Sequence, residues 1–352
     1  WQQTSGLSKV TQEQQERSKD YAEALIGLLT KSISCKDTDL TGIPLQTRML
    51  AEAFEKDFAE FFNAKEAKLQ LPEKLDLTDL YERFLKKKYD IQLEKSKLDI
   101  SQPNVKAHSE TGYSKFIEKH QNLALYTLFP EDKVEMLLCE KFYQEYSKEY
   151  PNLAKLNENN KQLLFEDKKQ KLLSFINDIK TSTVTTGIID QIIEDKPHFI
   201  HRTFAEYLVG KFLVDSLDNE RIVEFVLQEI LMQPAYQVTR AFLNGQLPES
   251  LPEDTLARYG KQIERLWQSS MSNLYNKGKT LLHLAAKEGT EKKIVRFLLD
   301  SLKEHETILK SLVEATTTNH YKETALHLAA AGGYLDVVQW LVEHGKANVE
   351  AT

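Results

Sequence analysis

Apolar residues recur at helical spacing over most of this chain of 352 residues. Between Ser18 and Thr30, the positions Tyr21, Ala22, Leu25, Leu28 and Leu29 fall on one stripe and predict an amphipathic helix. A second helix is predicted to start at Pro44, because proline at the first helical position loses no intrahelical hydrogen bond and Gly42 permits a tight approach. Leu45, Met49, Ala53 and Phe54 form its buried stripe, with Arg48 and Glu52 pointing outward. A third helix is read near Leu77 to Tyr89, and the polar, weakly periodic stretch from Asp90 to Tyr113 reads as a connector. Helical pattern resumes near Phe116 and continues past Tyr146. The run Asn157-Glu158-Asn159-Asn160-Lys161 reads as a turn before a helix through Leu172 and Ile176.

The period then changes. Gly187 to Ile193 is short and rich in β-branched residues, and Glu194-Asp195-Lys196-Pro197 punctuates a turn, so His198-Phe199-Ile200 is predicted to pair back as a second strand. Thr203 and Glu206 have the spacing of a capping box, and Phe204, Tyr207, Leu208 and Phe212 form the apolar face of the helix that follows. Helices, a hairpin and another helix in that order suit a winged-helix-type unit, with a helical domain after it over 216–273.

Thr280-Leu281-Leu282-His283-Leu284-Ala285 recurs as Thr324-Ala325-Leu326-His327-Leu328-Ala329. Each copy continues into a second helical pattern, Lys293 to Leu299 and Asp336 to Val342. The recurrence resembles the ankyrin repeat, whose Thr and His organise hydrogen bonds at a turn while Leu and Ala let paired helices approach. That resemblance gives Thr280, His283, Thr324 and His327 structural roles. The copies start 44 residues apart, against about 33 in the usual unit. An insertion of roughly eleven residues is therefore expected near Ser301 to Thr318, lengthening a helix or loop. About two repeats are expected in 274–352. Two bury too little surface alone, so they must stack on preceding helices, on further repeats, or on both.

Composition narrows the function. Hydrophobic residues at 41% suffice for packed cores, and a net charge of -7 argues against a protein whose main task is holding a phosphate backbone. Two cysteines, Cys35 and Cys139, are too few for a disulfide framework and fit a cytoplasmic protein. No apolar run reaches bilayer length, so no membrane partner is expected. The chain starts at Trp1 without an initiator Met and ends inside a repeat, which reads as a fragment of something longer.

No GxxxxGK[ST] phosphate loop is present, so the chain by itself is read as a non-enzyme. Leu40-Thr41-Gly42-Ile43-Pro44-Leu45 and Phe199-Ile200-His201-Arg202-Thr203-Phe204-Ala205-Glu206-Tyr207 nonetheless resemble two landmarks of NACHT-type, NOD-like signalling NTPases of the STAND class. The first is similar to the glycine-x-proline element of the helical lid, the second to the winged-helix segment Phe-x-His-x-Ser/Thr-Phe-x-Glu-Tyr/Phe. The resemblance implies a mainly α chain: a helical lid (1–75), a winged-helix-like domain with its β-hairpin wing near 187–200 (76–215), a helical domain (216–273) and an ankyrin helical-repeat solenoid (274–352). It also implies that Pro44 packs on the base of ADP and that His201 approaches the β-phosphate, with Arg202 a weaker phosphate contact. ADP or ATP would belong to the full-length parent, with no cofactor held by this chain alone. Self-assembly of that parent, and an innate-immune signalling role, follow from the same resemblance.

Plainer readings stand beside these. Pro44 also serves as an ordinary helix-start residue, and His201 as a satisfied histidine beneath the wing. His198 and His201 do not make a persuasive metal pair, and Lys86-Lys87-Lys88 reads as a solvated helix end. The functional expectation is a regulatory fragment that clamps ADP and binds a protein partner through its repeats. The alternative is a plain ankyrin scaffold with no nucleotide role. A winged-helix DNA binder is disfavoured by Asp190, Glu194 and Asp195 around the hairpin.

Overall fold

The computed structural model describes residues 11–32, 44–63, 71–73, 75–95, 103–150, 158–269, 275–276, 279–288, 292–318 and 320–350. The chain is mainly helical, and its strands form two small antiparallel pairs among those residues. It divides into two compact units, 1–116 with 186–188, and 117–185 with 189–352.

In the first unit, α1 (Gln12–Ser32) packs against α3 (Glu55–Asn63) through aromatic contacts. Tyr21 meets Phe58 edge-on at 5.4 Å and Phe61 at 5.6 Å. Tyr21 and Leu25 are buried as the periodicity predicts, whereas Ala22 is exposed. The next helix, α2 (Pro44–Ala53), starts at the predicted proline, whose side chain lies outside the described residues, as does Gly42. Met49 and Phe54 are fully buried against α4 (Leu77–Lys95), where Arg83 lies 4.9 Å over the Phe54 ring. Lys86, Lys87 and Lys88 are not a solvated helix end, because α4 runs on to Lys95. Lys88 pairs with Glu52, Lys87 with Glu55 at 3.3 Å and Lys86 with Asp90 at 3.8 Å.

The expected connector over Asp90 to Tyr113 is largely helix: α4 takes its first residues, and α5 (Pro103–Leu128) opens on a proline at its first position. Aromatic packing replaces the missing apolar periodicity, since Tyr89 meets Tyr113 at 5.5 Å and Phe116 at 5.4 Å. Tyr113 also donates to Glu82 at 2.8 Å.

In the second unit, α6 (Glu131–Glu149) packs against α7 (Glu158–Lys180). Glu158 to Lys161, read above as a turn, form the first turn of α7. Strands β1 (Ile189–Ile193) and β2 (Lys196–Phe199) make a hairpin where one is predicted, but its turn is shorter: Lys196 and Pro197, read as turn, pair with Ile193 and Ile192, and Ile200 lies beyond the strand. Its two turn residues, Glu194 and Asp195, have φ of 49° and 61°. Left-handed values at both positions match the twist of a two-residue hairpin turn, and Lys180 ties Asp195 at 2.9 Å.

Next comes α8 (Arg202–Asp215), buried on nearly every side. A six-residue helix, α9 (Glu220–Phe225), is capped by Asn219 and runs into a π-helical turn over Val226–Ile230. After a short 3-10 turn at Pro234–Tyr236, α10 (Gln237–Gln246) lies along α8, and α11 (Glu253–Ser269) completes this helical stretch.

Beyond it, β3 (Tyr275–Asn276) pairs with β4 (Lys279–Thr280) ahead of α12 (Leu281–Glu288) and α13 (Lys292–Ser301). The insertion predicted between the copies is an independent short helix, α14 (Glu306–Glu314), which buries Ile308, Leu309, Leu312 and Val313. The second copy supplies α15 (Ala325–Gly332) and α16 (Leu335–Glu343). Inner helix α12 packs on α15, while α13 packs on both α11 and α16. Gly333 closes α15 at φ 71°, a conformation that costs a glycine nothing, and its N–H returns to Ala329 and Ala330.

Candidate functional site

The Thr and His of each repeat turn form a closed hydrogen-bond circuit. Thr280 N–H donates to Nδ1 of His283 at 3.2 Å, and the Thr280 hydroxyl lies 2.7 Å from the same nitrogen. Nδ1 is therefore an acceptor, and the ring proton sits on Nε2, which donates to the Glu323 carbonyl at 3.0 Å. Thr280 Oγ1 in turn accepts from His283 N–H. Both side chains are fully buried, and burial pushes the imidazole below its ordinary value, which favours this neutral form. Thr324 and His327 repeat the circuit at 3.2 Å and 2.7 Å and form a capping box on α15.

The His283 bond reaches across 40 residues and fixes the base of a loop. Within that loop Thr317 N–H donates to the Glu323 carbonyl at 2.8 Å, and Glu323 N–H donates to Thr317 Oγ1 at 2.9 Å. One carbonyl thus anchors both the loop and the preceding repeat. Lys322, at φ 47°, turns the chain, and Tyr321 stands 81% exposed beside it. An aromatic ring on a braced loop offers contact area without much ordering cost, which is the usual property of an interface anchor.

This is the geometry of a repeated helical unit whose Thr and His fix the turn ahead of each helix pair. A family model described as "Ankyrin repeats (3 copies)" matches residues 257–352, about a quarter of the chain. Residues 257–352 are ankyrin repeats. The ankyrin match starts inside α11, ahead of the two copies legible in the sequence. No curated protein and no solved structure matches the chain.

The remaining predicted site residues fall elsewhere. His201 is exposed and is itself the N-cap of α8, accepting from Thr203 N–H at 3.3 Å and lying 2.8 Å from the Thr203 hydroxyl. This corrects the expected Thr203–Glu206 capping box. Thr203 lies inside the helix, and Glu206 accepts from Arg202 at 3.1 Å. Burial raises the Glu206 carboxyl above its ordinary value, against the opposing pull of Arg202. With Nδ1 of His201 engaged as an acceptor, its Nε2 carries the proton and is the nitrogen suited to donate to an anion. Pro44 and His201 belong to different units, and the landmark residues Leu40 to Ile43 lie outside the described residues.

Two features escaped the sequence reading. Tyr321 lies after the insertion and three residues ahead of Thr324, outside the part of the repeat pattern that recurs. Asn244 on α10 reads as an ordinary polar helix position, yet it is buried and bonded to the backbone of α13.

Proposed function

We propose that this chain is a protein-recognition module whose ankyrin repeats present the 317–323 loop to a protein partner, with Tyr321 as the anchor. One observation carries the reading: a large aromatic side chain 81% exposed on a loop whose base is tied to the buried His283. Recognition is proposed as the task in place of catalysis. Affinity capture on the full chain, followed by cross-linking that maps contacts to 317–323, tests it. Tyr321→Ala is expected to weaken a captured partner about thirtyfold, the scale of an interface hot spot. Undiminished capture by that variant would refute the anchor role.

The finer reading places the module in a cytoplasmic NOD-like parent, with α2 as part of a lid, the hairpin and α8 as a winged helix, and ADP supplied by a phosphate-loop domain. What supports it is the resemblance at Leu40 to Ala51 and Phe199 to Tyr207, the start of α2 at Pro44, and the exposed His201 with a donor nitrogen. When bound, ADP would offer diphosphate oxygens to His201 and Arg202. In the full-length parent, His201→Ala is expected to lower ADP affinity and shift the resting assembly state. If both stayed unchanged, the chain would reduce to an ankyrin scaffold.

A further inference from the structure

Away from the 317–323 loop, Lys293 and Arg296 of α13 share an open groove of about 180 Å³ with Gln339, Trp340 and Glu343 of α16. The groove already holds an anion of the chain's own. Glu249, from the connection between α10 and α11, places its carboxylate 3.1 Å from Lys293 Nζ and 4.0 Å from the Arg296 guanidinium. That side chain remains 77% exposed, so the contact is weakly held and open to competition. Hydrogen bonding from Lys293 keeps the Glu249 carboxyl below the usual carboxylate range.

The two cations are held in place without Glu249. Lys293 Nζ donates to the Leu247 carbonyl at 2.7 Å. Arg296 lies 4.6 Å over the Trp340 ring, with Nε 3.4 Å from Asp300. A guanidinium stacked on an indole keeps its fork pre-organised for a carboxylate. Lys292 and Asp336, paired with each other at 3.0 Å, also line the groove.

We propose that Glu249 is an internal stand-in for a ligand, and that Lys293, Arg296 and Trp340 form a docking groove for an acidic segment of a partner protein. The incoming carboxylate displaces Glu249 onto solvent and takes over both cations, while Trp340, itself stacked on His344 at 3.9 Å, keeps Arg296 in place. This gives a partner chemistry to a face other than the Tyr321 loop, so the two readings fail separately.

Fluorescence anisotropy of a labelled hexaglutamate peptide titrated with the full chain tests it. Removing a competitor strengthens binding, so Glu249→Gln is expected to tighten the peptide about threefold, the scale of an exposed ion pair. Arg296→Gln is expected to weaken it at least about tenfold, the scale of a charged hydrogen bond, and Arg296→Lys to recover only part of that loss. Tyr321→Ala is expected to leave it unchanged. Three outcomes overturn the proposal: Glu249→Gln binding no tighter than the parent, Arg296→Gln binding equally well, or inorganic phosphate competing as effectively as the peptide. Should Arg296→Gln fail to fold, the Glu249→Gln arm decides alone, because it changes only an exposed carboxylate.

Discussion

Asn244 caps a helix that is not its own: its Oδ1 accepts from the backbone N–H groups of Lys293 at 2.8 Å and Ile294 at 3.1 Å. A helix start leaves its first N–H groups without intrahelical partners, and here the helix before the repeats satisfies them. The repeats are therefore joined to α10 by a directional bond as well as by packing. Asn244→Ala is expected to destabilise the protein by about 1–2 kcal/mol and Asn244→Asp by much less, since Asp caps as well as Asn. Urea unfolding gives the energy. Hydrogen exchange should show faster exchange of the Lys293 and Ile294 amides in the Ala variant alone, and equal exchange in both variants would exclude the cap.

A second joint lies at Gly260 of α11. A Cβ built there would stand 2.2 Å from the Ser301 carbonyl oxygen and 2.8 Å from the His305 ring. Neither the carbonyl ending α13 nor the capping residue of α14 can give way cheaply, so the contact requires a residue without a side chain. Gly260→Ala is expected to cost about 1–3 kcal/mol through overpacking, despite the better helix propensity of alanine. A thermal melt no lower than that of the parent protein would show that α11 is free to shift.

How far the sequence disclosed these features depends on what encodes them. The helical stripes around Met49, Phe84 and Phe204 were legible because apolar spacing reports burial directly, and the hairpin because a β-branched run met turn residues. Thr280 and His283 were legible because a repeat places two copies side by side for comparison. The joints were not. Asn244, Gly260 and Glu323 act on partners 40 or more residues away, and nothing in their local pattern names the partner. The same limit explains α5, whose Tyr113 and Phe116 meet Tyr89 and Glu82 on another helix, while the local stretch shows only weak periodicity.

His283 makes stability depend on pH with a definite sign. Its pKa in the folded chain lies below the ordinary imidazole value of 6.5, chiefly because burial disfavours the cation, although the Glu323 carbonyl pulls the other way. The unfolded chain therefore takes up a proton first as pH falls. The contribution of His283 is complete above about pH 6.5 and is lost as pH drops through the folded value. His283→Ala is expected to cost about 2–3 kcal/mol at pH 7.5, since it strands a buried carbonyl and leaves a cavity. The difference between parent and variant should shrink toward pH 5, and a difference that stayed constant would show that the imidazole is not buried as the neutral form.

Arg240 explains why a π-helical turn is tolerated in the middle of this core. The turn closes with Leu231 N–H donating to the Val226 carbonyl, five residues back, and so breaks the regular ladder of carbonyl acceptors at its end. Arg240, on α10 and 2% exposed, donates to the Ile230 carbonyl at 3.0 Å and the Gln233 carbonyl at 2.8 Å. A cation at the negative end of a helical segment is favoured by its dipole, and the single nitrogen Nη1 donates to both oxygens. Lysine keeps the charge but carries it on a flexible stem that does not hold a donor in the position of Nη1, so Arg240→Lys is expected to cost about 1–2 kcal/mol and Arg240→Ala about 3 kcal/mol. Because Arg240 and Asn244 lie one turn apart on α10, loosening the first should also speed amide exchange at Lys293 and Ile294. If Arg240→Lys raised exchange in 226–233 but left those two amides as protected as before, α10 would be a rigid spacer, and the coupling between the π-turn and the ankyrin helices would be absent.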